Sequence, residues 1–380
     1  SPHERADPPS IPGVNPSTVE HAGIKRITAK DALKTFDLYA PGIVFPYFDL
    51  DGHPILDREE PFSRIRTDDA CDGKRYHRRR DAPALPYLPP HFRNGCTRAG
   101  QPIVVVEREE QALALCDSGY FQALGFNDVD AYGLPDTTLT FPLAELEKAL
   151  DRNPSASIYF GGDKDTLFNP FFYSAALNFR VVFKRRVCLM QVPLDAPSKG
   201  FDECRSVMSS EDFAKFASDL AKPPNAIDVS EKTSPGRLAM ASVRRQQQAI
   251  KRACEDEDER YTIMEGFIRL CAGLRILGDQ MSEEDLVKFA EDHLGAKRRA
   301  LKNAIKDKVI EMQADLPSQT PADTSDTTIH KDAPTGVWTK QAVEVLGPVT
   351  YFRAGQFCDV TGDSVENYDA ASLACFTDQP

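Results

Sequence analysis

The sequence lacks the patterns that mark several common classes of protein. None of its nine cysteines belongs to a Cys-x-x-Cys pair or to a Cys/His group at zinc-binding spacing, so we expect free thiols in a reducing cytoplasm. No Gly-x-x-x-x-Gly-Lys-Ser/Thr run is present, which excludes a P-loop ATPase. No apolar stretch approaches the roughly 20 residues of a membrane span, and the first residues lack the apolar core of a signal peptide.

The chain also lacks a net positive charge. Its 46 Lys and Arg residues and 58 Asp and Glu residues give a formal charge of -12. The protein as a whole is therefore not a general nucleic-acid binder, and any polyanion must meet a local basic surface. Hydrophobic residues make up 41% of the 380 positions, which is enough for the cores of two or three domains.

An apolar run ends at two acids near the middle of the chain. The sequence Ile158-Tyr-Phe predicts a buried parallel strand, and the glycines that follow, Gly161 and Gly162, are expected to let the backbone turn. Asp163 and Asp165 come next, at a spacing that lets two carboxylates converge on one hard cation. The alternative is an acidic turn that only faces solvent or caps a helix.

A second apolar run ends at an acid upstream. Ile103-Val-Val-Val predicts a buried strand with Glu107 at its carboxyl end, followed by a helix that stops at Gly119. A further helix is predicted over 141–150 and another strand over 187–192. Because ligands of open α/β sheets gather at the carboxyl ends of strands, Glu107, Asp163 and Asp165 are expected at one edge of one sheet.

In their order along the chain, these motifs resemble the Toprim-like domains in the N-terminal parts of phage, plasmid and mobile-element primase-helicase proteins. A strand ending in Glu107, a strand leading to the Asp163/Asp165 pair and a later Lys-Gly-x-Asp-Glu turn carry the resemblance. Upstream segments around 46–52, 64–66, 74–76 and 87–90 also match, so that it covers about residues 41–206. This chain has Arg108 where the family usually has glycine.

The resemblance implies an α/β Toprim-like core, a parallel sheet with flanking helices. It also implies a site that acts on nucleic acid. Glu107, Asp163 and Asp165 would be catalytic and would hold Mg²⁺ or Mn²⁺, which neutralises the charge that develops in phosphoryl transfer. Lys199 would contact phosphate, and Asp202 and Glu203 would form a secondary acidic turn. The alternative is that Glu107 only caps its helix.

A basic segment lies upstream of the candidate site. Arginines with interleaved aromatic rings suit phosphate contacts and base stacking, and the alternative is a solvated hairpin. The predicted nucleic-acid or phosphate ligands are Arg64, Arg66, Lys74, Arg75, Arg78, Arg79 and Arg80. His53, His77 and His91 have no nucleophile beside them in the sequence, and no role is assigned to them.

Changes in composition divide the chain into six segments. They are a mostly disordered tail (1–38, with a short helix from Ala29 to Phe36), a β-rich basic subdomain (39–100), the Toprim-like domain (101–206), a helical domain (207–315), a Ser/Thr/Asp/Pro linker (316–335) and a small β-containing module (336–380). The helical domain could bind DNA, join a helicase or brace the fold. The last module contains Trp338 and a predicted hairpin over 349–360.

Together these features predict a DNA replication protein of a mobile element or virus, in the cytoplasm of a bacterial host or an infected cell. The preferred activity is primer synthesis on single-stranded DNA from nucleotides, by metal-dependent nucleotidyl transfer. The alternatives are a Toprim-type nuclease and a catalytically degenerate Toprim domain that binds DNA or assembles with a helicase. In the family a helicase often follows, so we expect the natural chain to continue beyond Pro380 or to work with a separate motor, and no membrane partner is expected.

Overall fold

The computed structural model describes residues 9–315, apart from 72, 81, 83, 94–99, 128, 136–140, 142–143 and 231–232, and the backbone of three strands between 351 and 368. Contacts divide the chain into two compact units, Ser1–Asp315 and Leu316–Pro380. Among the described residues, no helix is both long enough and apolar enough to cross a membrane.

The larger unit begins with a small antiparallel sheet and two helices. In chain order these elements are α1 (Pro16–His21), β1 (Lys25–Ile27), α2 (Ala29–Phe36), β2 (Gly42–Pro46), the short pair β3 (Leu56–Asp57) and β4 (Glu60–Pro61), β5 (Ser63–Cys71) and β6 (Lys74–Arg78). The sheet has the order β1-β2-β5-β6. The predicted helix Ala29–Phe36 is confirmed, and Thr28 caps it by accepting a hydrogen bond from the Asp31 amide.

Part of the tail predicted to be mostly disordered is folded. Ile11, Val14 and Val19 are buried in the core of the larger unit, and α1, β1 and α2 all lie before residue 39. The prolines and polar residues of this segment led us to expect disorder. Burial of its apolar residues instead outweighs the entropy that is lost when the segment becomes ordered. The first eight residues lie outside the described part of the chain.

A five-stranded mixed sheet forms the centre of the larger unit. Its strands are β7 (Ile103–Val106), β8 (Gln122–Gly125), β9 (Ile158–Gly162), β10 (Val187–Gln191) and β11 (Ile227–Val229), in the order β11-β10-β9-β7-β8. The four strands β7 to β10 are parallel, and β11 pairs antiparallel with β10. Between the parallel strands lie α3 (Glu109–Asp117), α4 (Ala144–Arg152) and α5 (Pro170–Phe183), and α6 (Phe201–Val207) follows β10.

Helices cover both faces of this sheet, as predicted. Successive strand residues point to opposite faces, so that Val104 and Val106 join a core with α3 while Ile103 and Val105 join a core with α5. A strand that is buried on both sides is apolar throughout, and the first polar side chain appears only where the strand leaves the sheet. This pattern places Glu107 at the carboxyl end of β7, where the chain leaves the sheet.

A run of helices completes the larger unit. They are α7 (Ser210–Leu220), α8 (Pro235–Arg245), α9 (Gln247–Ala253), α10 (Glu257–Ile276), α11 (Gln280–Leu294) and α12 (Arg298–Asp315). Gln246 separates α8 from α9, and α11 ends at Gly295, whose φ is +66°. Leu238 of α8 and Phe267 of α10 share a core with the sheet, so these helices brace it.

The described residues of the smaller unit form three antiparallel strands, β12 (Tyr351–Arg353), β13 (Gln356–Thr361) and β14 (Ser364–Tyr368). Pairing of β12 with β13 confirms the predicted hairpin. Its turn at Ala354 and Gly355, Trp338 and the predicted linker all lie outside the described residues.

Candidate active site

Three strand ends bring the predicted acids to one edge of the central sheet. Glu107 directly follows β7, and Asp163 directly follows the neighbouring strand β9. Asp165 lies in a short 3-10 turn, Lys164–Phe168, and Lys199 follows β10. These four residues line one open cavity of about 230 Å³, which Arg64, Tyr76, Arg108 and Asn127 also line.

The two glycines before Asp163 are the end of β9 and not the predicted turn. A Cβ atom at Gly161 would lie 2.8 Å from Cγ1 of Val106, and one at Gly162 would lie 2.4 Å from Oγ1 of Thr166. Close packing therefore requires glycine here. Asp163 consequently follows its strand directly.

Replacing Gly162 with alanine is expected to lower the free energy of unfolding by about 1–3 kcal/mol, because Thr166 and Phe172 must shift. Urea denaturation of the single variants and of Gly162→Ala/Thr166→Ala forms a double-mutant cycle. Removal of the Thr166 hydroxyl relieves the closest contact, so the two changes should be non-additive by about 0.5 kcal/mol or more. Additive effects would contradict the packing argument.

Asp163 is the most enclosed acid of the site, with 3% of its surface exposed. Its Oδ2 atom accepts a hydrogen bond from Nη2 of Arg108 at 2.5 Å, and its Oδ1 atom accepts one from Nε2 of Gln111 at 2.7 Å. Neither contact was predicted. Both donors lie within the first turn after β7, and the position of this turn at the same edge as β9 is a signal that could have pointed to them.

Asp165 is held differently, near the surface. Its Oδ2 atom lies 2.7 Å from Nζ of Lys199, and more than half of each side chain is exposed. The backbone amide of Lys164 donates a hydrogen bond of 3.1 Å to the carbonyl of Lys199. The turns after β9 and β10 are thus joined by a backbone contact and an ion pair.

Burial and mutual repulsion disfavour ionisation of the acids. Burial raises the pKa of Glu107 to about 7, against the effect of Arg108 and with a contribution from Asp163. Burial also raises the pKa of Asp163 to about 6, although Arg108 opposes the shift. For Arg108 burial favours the neutral form, but the Asp163 and Asp202 carboxylates outweigh it and raise the pKa of the guanidinium. Arg108 therefore keeps its positive charge among these acids.

Gly200 lets the turn that follows β10 approach the site. A Cβ atom at Gly200 would lie 2.8 Å from Oδ1 of Asp202, 3.1 Å from Oδ1 of Asp163 and 3.4 Å from Nη2 of Arg108. The carboxylate of Asp202 is buried, and its Oδ1 atom has no hydrogen-bond partner among the described residues. Asp202 thus belongs to the group around Arg108.

Glu203, the other predicted residue of the acidic turn, holds the turn itself. Its Oε2 atom accepts hydrogen bonds from the Ser198 hydroxyl at 2.7 Å and from the Lys199 amide at 3.1 Å. These bonds lower the pKa of Glu203, the Ser198 bond most strongly. This contact fixes the backbone that carries Lys199.

The predicted metal site does not match this arrangement of carboxylates. Carboxylate oxygens are the ligands that Mg²⁺ and Mn²⁺ prefer, but both oxygens of Asp163 already accept N–H donors and Asp165 is paired with Lys199. Within the described part of the chain, no group of three or more His, Cys, Asp or Glu residues is placed to hold a metal ion. The residues as arranged do not fit a divalent ion.

Two of the predicted phosphate ligands form ion pairs with buried glutamates of the protein itself. Arg64, with 6% of its surface exposed, lies 3.1 Å from Oε1 of Glu109. Arg66 lies 2.8 Å from Oε1 of Glu110, which also accepts the Tyr76 hydroxyl at 3.0 Å. Burial raises the pKa of Glu110 to about 7. These pairs fasten β5 to the first turn of α3.

The other predicted basic residues form a ribbon on and after β6. The side chains of Lys74, Arg75, Arg78 and Arg80 are exposed. Arg75 donates to the backbone carbonyl of Asp68 at 2.9 Å, and Arg79 pairs with Glu60 at 2.6 Å. We call Lys74, Arg78 and Arg80 the basic ribbon. Tyr76, on the same strand, lines the acidic cavity.

A larger cavity of about 510 Å³ lies at the opposite ends of the same strands. Tyr159, Arg185 and Arg186 are among its lining residues, and Arg186 pairs with Asp228 at 3.1 Å. It contains none of the predicted acids. The smaller cavity is therefore the candidate active site.

Neither a protein-family model nor a curated protein matches the sequence. Three of the solved structures that match are primases. They are a DnaG primase catalytic domain bound to single-stranded DNA (13% identity, TM-score 0.40, 76% of this chain and 88% of that chain), the zinc-binding and RNA polymerase domains of the Aquifex aeolicus primase (13%, 0.35, 76% and 66%) and a DnaG catalytic core (12%, 0.38, 74% and 87%). These likenesses are remote, and the chemistry of the site has to come from this chain's own residues.

Proposed function

We propose that this protein acts on single-stranded DNA as a Toprim-type primase in the replication of a mobile element or virus. The observation that supports this most is the convergence of Glu107, Asp163 and Asp165 on one open cavity at the carboxyl ends of the parallel strands. That edge is where α/β sheets bind ligands. The ordered motifs of the Toprim-like family point to the same residues.

The cavity combines groups that can serve nucleotidyl transfer. A 3′-hydroxyl that attacks an α-phosphorus loses a proton as pyrophosphate leaves, and Glu107 is the carboxylate that we assign to general acid or base catalysis. The exposed Lys199 and the guanidinium of Arg108 line the same cavity, where cations can hold phosphate oxygens. The resemblance implies Mg²⁺ or Mn²⁺ as well, although the carboxylates as folded do not fit one.

Template strand binding is assigned to the basic ribbon. Replacing Lys74, Arg78 and Arg80 with glutamine is expected to weaken single-stranded DNA binding and to reduce the slope of log affinity against log salt by about 2, since each lost phosphate contact contributes roughly 0.7. Fluorescence anisotropy over a range of salt concentrations measures both quantities. The control is Lys251→Gln/Arg299→Gln/Lys306→Gln, which removes the same charge from exposed positions of the helices. Equal effects of the two triple variants would contradict the assignment.

A second candidate function is a DNA-binding or assembly module for a helicase, without catalysis. The contact between Arg108 and Asp163 favours it, because a guanidinium holds the acid that catalysis would use. Nucleotide incorporation separates the two functions. A primase incorporates nucleotides on a single-stranded template, whereas an assembly module binds the template and leaves nucleotides unchanged.

A further inference from the structure

We infer that Arg108 is a built-in cation that occupies the place of a divalent metal beside Asp163, and that phosphate must draw its guanidinium away before a metal can bind there. The first half depends on the contacts of Arg108 alone. The second half rests on the proposed function, because the phosphate would belong to DNA or a nucleotide.

Each oxygen of Asp163 already accepts a hydrogen bond, and Oδ2 lies against the positive charge of Arg108. The guanidinium lies 2.5 Å from one carboxylate oxygen, and the buried amide of Gln111 lies 2.7 Å from the other. A hard cation binds the lone pairs of carboxylate oxygens at 2.0–2.1 Å for Mg²⁺, so it must compete with both donors. Asp163 is 3% exposed and cannot turn outward to another partner without opening the site.

Arg108 compensates more than one carboxylate. The Cβ position at Gly200 shows that Asp163, Asp202 and Nη2 of Arg108 lie around one point, within 3.4 Å of it. Oδ1 of Asp202 is buried and accepts no hydrogen bond among the described residues. Without the guanidinium, these carboxylates and Glu107 would face one another with one positive charge fewer. Such a group attracts a divalent cation.

The guanidinium also has a route to a substrate. The Arg108 side chain is 23% exposed, and it lines the cavity beside Lys199. Guanidinium groups bind phosphate oxygens with two parallel N–H donors, so an incoming phosphate can exchange with Asp163 as the partner of Arg108. The exchange would free Oδ2 of Asp163 only when DNA or nucleotide is present.

Calorimetric titration with Mn²⁺ tests both halves. Arg108→Ala is expected to bind Mn²⁺ about 10-fold or more tightly than the wild type, and to gain thermal stability from it that the wild type does not gain. A single-stranded oligothymidylate should tighten Mn²⁺ binding to the wild type by a similar factor, after correction for Mn²⁺ bound by the DNA alone, and should leave Arg108→Ala little changed. The control Arg252→Ala breaks an exposed 2.7 Å pair with Asp195 and should gain nothing.

One result would overturn the first half: wild type that binds Mn²⁺ as tightly as Arg108→Ala does. If Arg108→Ala does not fold, the neutral Arg108→Gln carries the same test. Fluorescence anisotropy measures DNA binding to the wild type without metal, and it separates a failure of the second half from a failure of the proposed function. DNA that binds the wild type without tightening Mn²⁺ overturns the second half, whereas DNA that does not bind at all overturns the proposed function and the second half with it, and leaves the first half standing.

Discussion

Replacing Arg64 with alanine is expected to lower the free energy of unfolding by about 3–5 kcal/mol, because it leaves a buried charge without its partner. Glu109 is fully buried, and its Oε1 atom accepts Nη1 of Arg64 at 3.1 Å together with the Tyr47 hydroxyl at 2.8 Å. The other donors to this atom, the Tyr47 hydroxyl and Nδ2 of Asn127 at 3.3 Å, are neutral and do not replace the positive charge. Urea denaturation at neutral pH measures the loss.

The double variant Arg64→Ala/Glu109→Gln separates charge from packing. The single variant leaves the Glu109 carboxylate without its ion-pair partner, and the double variant removes that charge. The double variant should therefore recover part of the lost stability. Lys74→Ala, an exposed residue of the neighbouring strand, should change stability by less than about 0.5 kcal/mol. If Arg64→Ala were as mild as Lys74→Ala, the buried pair would not fasten β5 to the helix that follows Glu107.

Replacing Asp163 and Asp165 with asparagine is expected to reduce nucleotide incorporation by about 100-fold or more, a loss typical of removing a charged group from preorganised catalytic machinery. Asparagine keeps the shape of the side chain and removes its charge. Single-stranded DNA binding should be retained, since two negative charges disappear from the cavity. Initial rates of labelled nucleotide incorporation, with anisotropy in parallel, measure both effects.

The matched control for this double variant is Asp195→Asn/Asp228→Asn. Both acids are about half exposed and pair with Arg252 and Arg186, outside the candidate active site. The control should keep the wild-type rate. Incorporation by Asp163→Asn/Asp165→Asn at more than a tenth of the wild-type rate would mean that these acids do not take part in the reaction.

The sequence predicted the strands β7, β9 and β10 and the position of the acids because both depend on local patterns. Four consecutive apolar residues before Glu107 are typical of a strand that is buried on both faces, and such a parallel strand ends where ligands bind. The Asp163/Asp165 pair followed from the same argument applied to β9. Placing these acids at one edge of one sheet therefore needed only the order of strands and helices along the chain.

Long-range contacts decided what the sequence did not predict. Arg64 was expected to face phosphate, but it meets Glu109, 45 positions away, and Arg108 meets Asp163, 55 positions away. Gly161 and Gly162 were expected to turn, whereas their role is to make room for Val106, Thr166 and Phe172. The strand β8 has four residues, and none of them is β-branched. No local sequence pattern therefore predicted this strand.

The most direct test of the central claim, that the carboxyl-edge cavity carries out nucleotidyl transfer on DNA, is an extension assay with the wild-type chain. Labelled nucleotides with unlabelled single-stranded DNA, and labelled DNA with unlabelled nucleotides, are incubated in parallel with Mg²⁺ or Mn²⁺. The account predicts template-dependent products in the first reaction and intact template in the second. Shortened template without incorporation would show a nuclease instead, and DNA binding with neither product would contradict catalysis and leave the assembly module.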